Sequence, residues 1–292
     1  MAIVLVATLL VLFATHAMPA SVYWRDFAWL RRWHEQIGSQ GGDLAGLILC
    51  IGLPVLACAL VQYALRGTWL GLAGLAFAII VLFYSWGPRD LARDVEAIDK
   101  APDSDRRVAA LQALRADATQ PPLDFTTETV VEATFLAALR RWFGVLLWFA
   151  LLGPAGALLY RLTQVLAAPD FAAALAAGQR TLAERAARIL DWLPAHLIVL
   201  ALALASNFDA VLKVWRDYHA ANGKGFLALD LGFLNATARA SVAADVAEED
   251  DEPAQAARAP LVALDDAMVL VRRVLIVWLT AIALIVLGGW FA

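Results

Sequence analysis

The sequence predicts an all-α fold, a polytopic bundle of transmembrane helices accompanied by amphipathic helices at the membrane interface. Of its 292 residues, 62% are hydrophobic and 17% are charged, whereas a soluble chain is about half apolar and about a quarter charged. Several apolar runs have roughly the 20 residues that a helix needs to cross a bilayer. Tryptophan and arginine gather beside these runs, as they do near lipid headgroups. The net charge of −4 gives no reason to expect a nucleic-acid partner.

The first apolar run covers residues 2–17. No lysine or arginine precedes it, so it lacks the basic segment of a secretory signal. We interpret it as a retained helix that is a little short for a span, with a cleaved signal as the alternative. Residues 21–43 mix tryptophan with arginine, which predicts a helix lying in the interface.

The next two runs, residues 44–65 and 69–86, predict a pair of spanning helices. Only a short turn beginning at Arg66 separates them, so they form a tight hairpin. Gly87 and Pro88 end the second helix, because glycine permits a chain reversal and proline cannot extend the hydrogen-bond ladder.

Residues 87–141 predict a cytoplasmic amphipathic loop. Leu91, Val95 and Ile98 recur at the spacing of one helix face. Arginines flank the predicted spans on this side of the membrane, and the positive-inside rule places such a side in the cytoplasm together with residues 21–43. These arginines are Arg31, Arg32, Arg89, Arg93, Arg140 and Arg141.

Residues 142–160 predict a third span that is kinked in its middle. Pro154 frees a backbone carbonyl, which lipid tolerates only where a neighbouring group bonds to it. Gly153 and Gly156 offer a small surface on which another helix can pack closely.

The remainder of the chain leaves more than one topology open. Asp191 predicts the start of a helix, and the short apolar stretch within residues 193–212 fits a re-entrant segment, a buried helix or a tilted span. Residues 235–265 contain an acidic run and few apolar groups, which predicts a disordered linker. Residues 274–291 predict a last span, so that residues 1–292 form a single membrane domain.

Motifs for catalysis or cofactor binding do not stand out. None of the four histidines has a His or Cys at metal-ligand spacing. Cys50 and Cys58 lie roughly 12 Å apart along one predicted helix, too far for a disulfide. We therefore predict no catalytic residue, no metal and no cofactor.

Charged side chains near the ends of the spans are the remaining candidates for a ligand or partner pocket, to which Tyr160 is added. The alternative for the charged groups is interface anchoring, helix capping and ion pairing inside the bundle. The predicted set is Arg89, Asp90, Glu132, Arg141, Tyr160, Arg161 and Asp191.

The segment from Arg141 to Leu162 reads Arg-Trp-Phe-Gly-Val-Leu-Leu-Trp-Phe-Ala-Leu-Leu-Gly-Pro-Ala-Gly-Ala-Leu-Leu-Tyr-Arg-Leu. It resembles the AmpE family of membrane proteins in β-lactamase induction. The Gly-Pro-Arg-Asp-Leu run at residues 87–91, the Asp-Trp-Leu-Pro run at residues 191–194 and the lone C-terminal span are also similar to that family. The resemblance implies an inner-membrane regulator or sensor linked to cell-wall recycling. Its expected partners are the lipid bilayer and either a protein or a small wall-derived ligand.

The same core is similar to the cobalamin-pathway amide synthases of the CobD/CbiB type. Those enzymes carry Glu-Asn and Asp-Gly patterns on the preceding helix, whereas residues 135–141 here contain no carboxylate and no asparagine. The sequence therefore favours a regulator over an enzyme. A membrane-embedded amide synthase is the first alternative, and a small-molecule transporter with a kinked helix is the second.

Overall fold

A computed structural model of the protein describes residues 2–17, 25–38, 42–65, 71–87, 90–115, 124–221, 225–249 and 260–288. Within these residues the regular elements are helices and none is a strand, which confirms the predicted all-α class. In chain order the helices are α1 (Ala2–Ala17), α2 (Ala28–Ile37), α3 (Asp43–Ala64), α4 (Gly71–Ser85), α5 (Leu91–Asp99), α6 (Ser104–Arg115), α7 (Thr127–Ala138), α8 (Gly144–Leu152), α9 (Pro154–Ala167), α10 (Pro169–Ala172), α11 (Ala177–Ala205), α12 (Phe208–Ala221), α13 (Gly232–Glu249) and α14 (Pro260–Leu287). The π-helical turn Leu139–Phe143 joins α7 to α8 without a break.

Four of the described helices are long and apolar enough to cross a membrane. They are Asp43–Ala64, Thr127–Leu152, Ala177–Ala205 and Pro260–Val286. The apolar helices Val4–Thr15 and Gly71–Ser85 are shorter. These lengths agree with the membrane character that the composition indicates.

The chain divides into two compact units. The first consists of Met1–Asp90, Gly144–Leu190 and Ile282–Ala292, and the second of Leu91–Phe143 and Asp191–Ala281. In the first unit α9 packs against α3, α4 and α8, and α1 packs against α4. In the second unit α13 packs against α7 and α12, and α6 packs against α5 and α7.

Burial in each unit follows the apolar pattern of the helices. Leu30 of α2 is fully buried in the first unit, in a cluster with Leu47 of α3 and Leu162 of α9. In the second unit Leu91 and Ile98 of α5 are fully buried. The predicted amphipathic loop thus consists, where it is described, of helices that bury one face.

Prolines inside the apolar helices free carbonyl groups, and tryptophan side chains bond to two of them. Pro54 has no N–H for the carbonyl four residues earlier, which belongs to Cys50. Trp33 donates its indole N–H to that Cys50 oxygen at 3.2 Å. Pro194 likewise has no N–H for the Leu190 carbonyl in α11. Trp148 donates its indole N–H to that oxygen at 3.1 Å.

The predicted span of residues 142–160 is divided into two helices. Gly153, with φ of 73°, ends α8, and Pro154 begins α9. A positive φ is costly for residues other than glycine. Here one helix ends and a new one begins, whereas the sequence alone predicted a single kinked helix.

Helix boundaries differ from the predicted ones in the second half of the chain. The prediction that Asp191 begins a helix is wrong, because it lies inside the 29-residue α11. The predicted linker of residues 235–265 is helical up to Glu249 and again from Pro260, and its residues 250–259 lie outside the described part of the chain. Alanine, the strongest helix former, is abundant in α13.

Candidate functional site

A π-helical turn carries two neighbouring arginines in the second unit. Leu139–Phe143 follows α7 without interruption and contains Arg140 and Arg141. A π turn holds an extra residue compared with regular α-helix, and such turns are frequent at functional sites. The capping box between Thr126 and Thr129 fixes the beginning of α7.

Arg141 forms a buried ion pair with Asp94 of α5. Its Nη1 lies 2.7 Å from Asp94 Oδ2, and both side chains are only 6% exposed. Its Nη2 donates to the Leu114 carbonyl at 2.9 Å. The guanidinium therefore bonds to both α5 and α6, and these hydrogen bonds offset part of the cost of removing two charges from water.

Arg140 faces a different helix. Its Nε lies 3.5 Å from Oδ2 of Asp191, whose side chain is 1% exposed. Asp191 therefore acts inside α11 as a partner for an arginine, which explains why a helix-capping residue occurs far from a helix end. Two consecutive residues thus reach carboxylates on two separate helices, α5 and α11.

A third, more exposed pair joins α7 to α13. Glu132 Oε1 lies 3.2 Å from Nη1 of Arg239, and its Oε2 accepts a hydrogen bond from Asn235 at 3.2 Å. The Glu132 side chain is 30% exposed and the Arg239 side chain is 46% exposed. Pairs that are exposed to this extent contribute only about 0–1 kcal/mol to stability.

In the first unit, Arg161 and Tyr160 are both buried. Arg161 Nε donates to the Ser85 carbonyl at 2.6 Å, which fastens α9 to the end of α4. Tyr160 is fully buried, and its ring fills the space beside Gly144, where a Cβ would overlap it.

Arg25 and Asp90 occupy the same unit. Arg25 Nη1 donates to the Gly87 carbonyl at 3.1 Å, and the guanidinium lies 4.4 Å from the centre of the Phe83 ring. Burial lowers the pKa of Arg25, and the nearby Asp90 carboxylate partly opposes this shift.

The helix break is bridged by Gln62 of α3. Its Nε2 donates to the Leu152 carbonyl and its Oε1 accepts from the Ala155 N–H, each at 3.2 Å. Gly156 lies against the Trp148 carbonyl, where a Cβ would overlap it. The groove at this place, lined among others by Gln62 and Leu159, is mostly apolar.

The predicted pocket residues fall in different parts of the chain. Asp90, Tyr160 and Arg161 belong to the first unit, and Glu132, Arg141 and Asp191 to the second. Arg89 lies outside the described residues. Among the residues that the structure describes, no group of three or more His, Cys, Asp or Glu side chains could hold a metal ion.

Sequence reasoning missed Asp94 and Arg239 as partners of the predicted residues. A signal for Asp94 existed, because it lies three residues after Leu91 and four before Ile98, on the apolar face of α5. A carboxylate at such a position requires a buried partner. Arg239 gave no comparable signal, since it lies in the segment predicted to be a linker.

Comparisons of the chain with known protein families, with characterised proteins and with solved structures find no match.

Proposed function

We propose that the chain is a multi-pass regulator of the bacterial inner membrane that adjusts β-lactamase induction in response to cell-wall recycling, without catalysing a reaction. In this proposal its long apolar helices form a polytopic bundle, and α2 lies in the interface. The amphipathic helices α5 and α6 face the cytoplasm. The long apolar helices and the resemblance of residues 141–162 to the AmpE family support it.

The π turn is the observation that carries the proposal. Successive residues of an α-helix point about 100° apart, since a turn holds 3.6 residues. Removing the extra residue of a π turn rotates one side of the helix relative to the other. Such a change would move Arg140 and Arg141 away from Asp191 and Asp94. A segment with two packed arrangements is what a regulator needs to respond to a ligand.

The chemistry of the site suggests how it is controlled. Each arginine pairs with a carboxylate, so a ligand or partner segment that carries carboxylates competes with Asp94 and Asp191 for the guanidinium groups. A peptide fragment of the cell wall has such groups. Its binding would favour one arrangement of the π turn over the other, which is the proposed signal.

The test replaces the chromosomal gene with variants and measures β-lactamase activity after addition of a β-lactam inducer. Asp94→Asn and Arg141→Ala should change induction by roughly fivefold or more, the usual lower range of a coupled equilibrium. Arg188→Ala is the matched control, because its pair with Glu184 is exposed. Membrane abundance is followed by immunoblot. Normal induction at normal abundance in both test variants, or in a strain lacking the gene, contradicts the proposal.

The break between α8 and α9 favours a small-molecule transporter as the second candidate. Discontinuous helices near the membrane midplane often form transport sites, and Gly153 with Pro154 provides one such break. Uptake of labelled substrates into proteoliposomes distinguishes the two functions, because the regulator does not need to move a solute across the membrane.

A further inference from the structure

Six aromatic and imidazole rings pack together in the second unit. We call this group the ring cluster. His196 lies at its centre, with ring centroids 4.3 Å from Phe233, 4.4 Å from Trp192 and 4.6 Å from Phe226. The members of the cluster are Trp192, His196, Trp215, His219, Phe226 and Phe233, which come from α11, α12, the turn after α12, and α13.

The orientation of His196 leaves one ring nitrogen without a bond. Its Nδ1 lies 2.8 Å from the Trp192 carbonyl, which only accepts, so Nδ1 carries a proton and Nε2 of the neutral ring carries the lone pair. His196 is 6% exposed. Its buried Nε2 has no hydrogen-bond partner among the described residues.

Trp215 presents the complementary group. Its indole N–H, which can only donate, is also buried and without a partner among the described residues. The ring centroids of His196 and Trp215 are 6.2 Å apart. Buried polar atoms are nearly always hydrogen-bonded, so an acceptor and a donor left together inside one cluster point to a bound group.

A hydroxyl group has the chemistry to satisfy both atoms, because it can donate to His196 Nε2 and accept from Trp215 Nε1. The polar members of the cluster are imidazoles and indoles, which favours an uncharged ligand. The surrounding aromatic faces suit the apolar C–H face of a ring.

We propose that the ring cluster binds a neutral sugar ring, one hydroxyl of which lies between His196 and Trp215. Phe226 is 47% exposed and Trp192 and Trp215 are half-buried, so the sugar reaches the cluster from this side. The sugar is either a free saccharide or the headgroup of a glycolipid. This inference does not rest on the proposed regulatory function, because it uses neither the π turn nor its ion pairs.

The test places the full-length protein in nanodiscs of phosphatidylcholine, which contain no sugar. In one arm methyl β-D-glucoside is added and its binding is followed by saturation-transfer NMR. In the other arm monoglucosyl diacylglycerol is included in the nanodiscs and the tryptophan fluorescence is titrated. Binding in the first arm identifies a free saccharide, and binding in the second arm alone identifies a lipid headgroup.

Two variants locate the binding site. Trp215→Phe keeps a ring and removes the N–H, and His196→Phe removes the acceptor. Each should weaken binding by about tenfold, the effect of one lost buried hydrogen bond. Trp278→Phe, at a tryptophan that packs on Phe143 outside the cluster, should bind like the wild type.

The proposal is overturned if neither arm shows binding by the wild type, or if binding persists unchanged in Trp215→Phe. Should His196→Phe fail to fold, Trp215→Phe decides alone, since it retains the packing of the cluster. Sugar binding that leaves β-lactamase induction unaffected supports the ring cluster while counting against a wall-derived sugar as the regulatory signal.

Discussion

Trp33 of α2 donates its indole N–H to the Cys50 carbonyl at 3.2 Å, the same carbonyl that Pro54 deprives of a donor within α3. A freed carbonyl in an apolar helix needs another donor, because lipid supplies none. The bond also fastens the amphipathic α2 to the apolar α3. The packing of these two helices is therefore linked to the position of one proline.

A double-mutant cycle tests this link. Trp33→Phe should lower the free energy of unfolding by about 1–2 kcal/mol, since it leaves the carbonyl unbonded. In a Pro54→Ala background the alanine N–H bonds to Cys50, so the same change should cost much less. The four proteins are compared by reversible unfolding in mixed micelles. If Trp33→Phe lowers the free energy of unfolding equally in the wild type and in the Pro54→Ala background, the link between Trp33 and Pro54 is contradicted.

Gln62 should stabilise the break between α8 and α9. Gln62→Leu removes both of its hydrogen bonds across the break, and we expect a loss of about 1–3 kcal/mol. The neighbouring Tyr63, which is 74% exposed, provides the control Tyr63→Phe, which should leave stability nearly unchanged. Thermal unfolding in detergent measures both. A stable Gln62→Leu protein would show that the break needs no side-chain donor.

The Asp94–Arg141 pair should be strongly coupled. Removing one charge by Asp94→Ala or Arg141→Ala leaves the other buried without its main partner, at a cost of about 3–5 kcal/mol. The double variant Asp94→Leu with Arg141→Met should lose less free energy of unfolding than the sum of the losses in the two single variants. The exposed Glu184–Arg188 pair serves as the control cycle, with an expected coupling of about 0.5 kcal/mol. Similar couplings in the two cycles would falsify the structural role of the buried pair.

Gly144 should not tolerate a larger residue. A Cβ at this position overlaps the ring of the fully buried Tyr160, so Gly144→Ala should destabilise the protein by about 1–3 kcal/mol. Gly52→Ala is the matched helical control, because its nearest neighbour would be an ordinary 3.9 Å away, and it should be neutral or stabilising. Adding Tyr160→Leu to Gly144→Ala should recover part of the loss. No recovery argues against the overlap as its cause.

Tyr218 should ionise only in strong alkali. Burial, and then its hydrogen bond to Asp230 Oδ2 at 2.7 Å, raise its pKa to about 12. Because the folded pKa exceeds the ordinary value of about 10, this contribution to stability is present below pH about 10 and is lost as the pH rises toward 12. The tyrosinate absorbance difference between the wild type and Tyr218→Phe isolates this titration, and circular dichroism checks the fold. Asp230→Asn should lower the midpoint, and a wild-type midpoint near 10 excludes the shift.

The lengths of the apolar runs placed α1, α3 and α4 close to their bounds in the structure. The run predicted as residues 44–65 is α3, Asp43–Ala64, because a 22-residue run with Gln62 as its only strongly polar member leaves few other solutions in either lipid or a protein core. The face of Leu91, Val95 and Ile98 is buried for the same reason. The local sequence wrongly predicted that Asp191 begins a helix. A residue that favours helix ends also tolerates a helix interior when an arginine faces it, as Arg140 does here.

By itself, the sequence determined the helical class, the apolar character and the need for a hydrogen-bond donor near Pro154, because these depend on each residue and its near neighbours. Only the tertiary structure decided which groups meet that need and which carboxylate each arginine faces. It also brought His196 of α11 and Trp215 of α12 into one ring cluster. Such pairings depend on how whole helices pack against one another, and no local pattern encodes that choice.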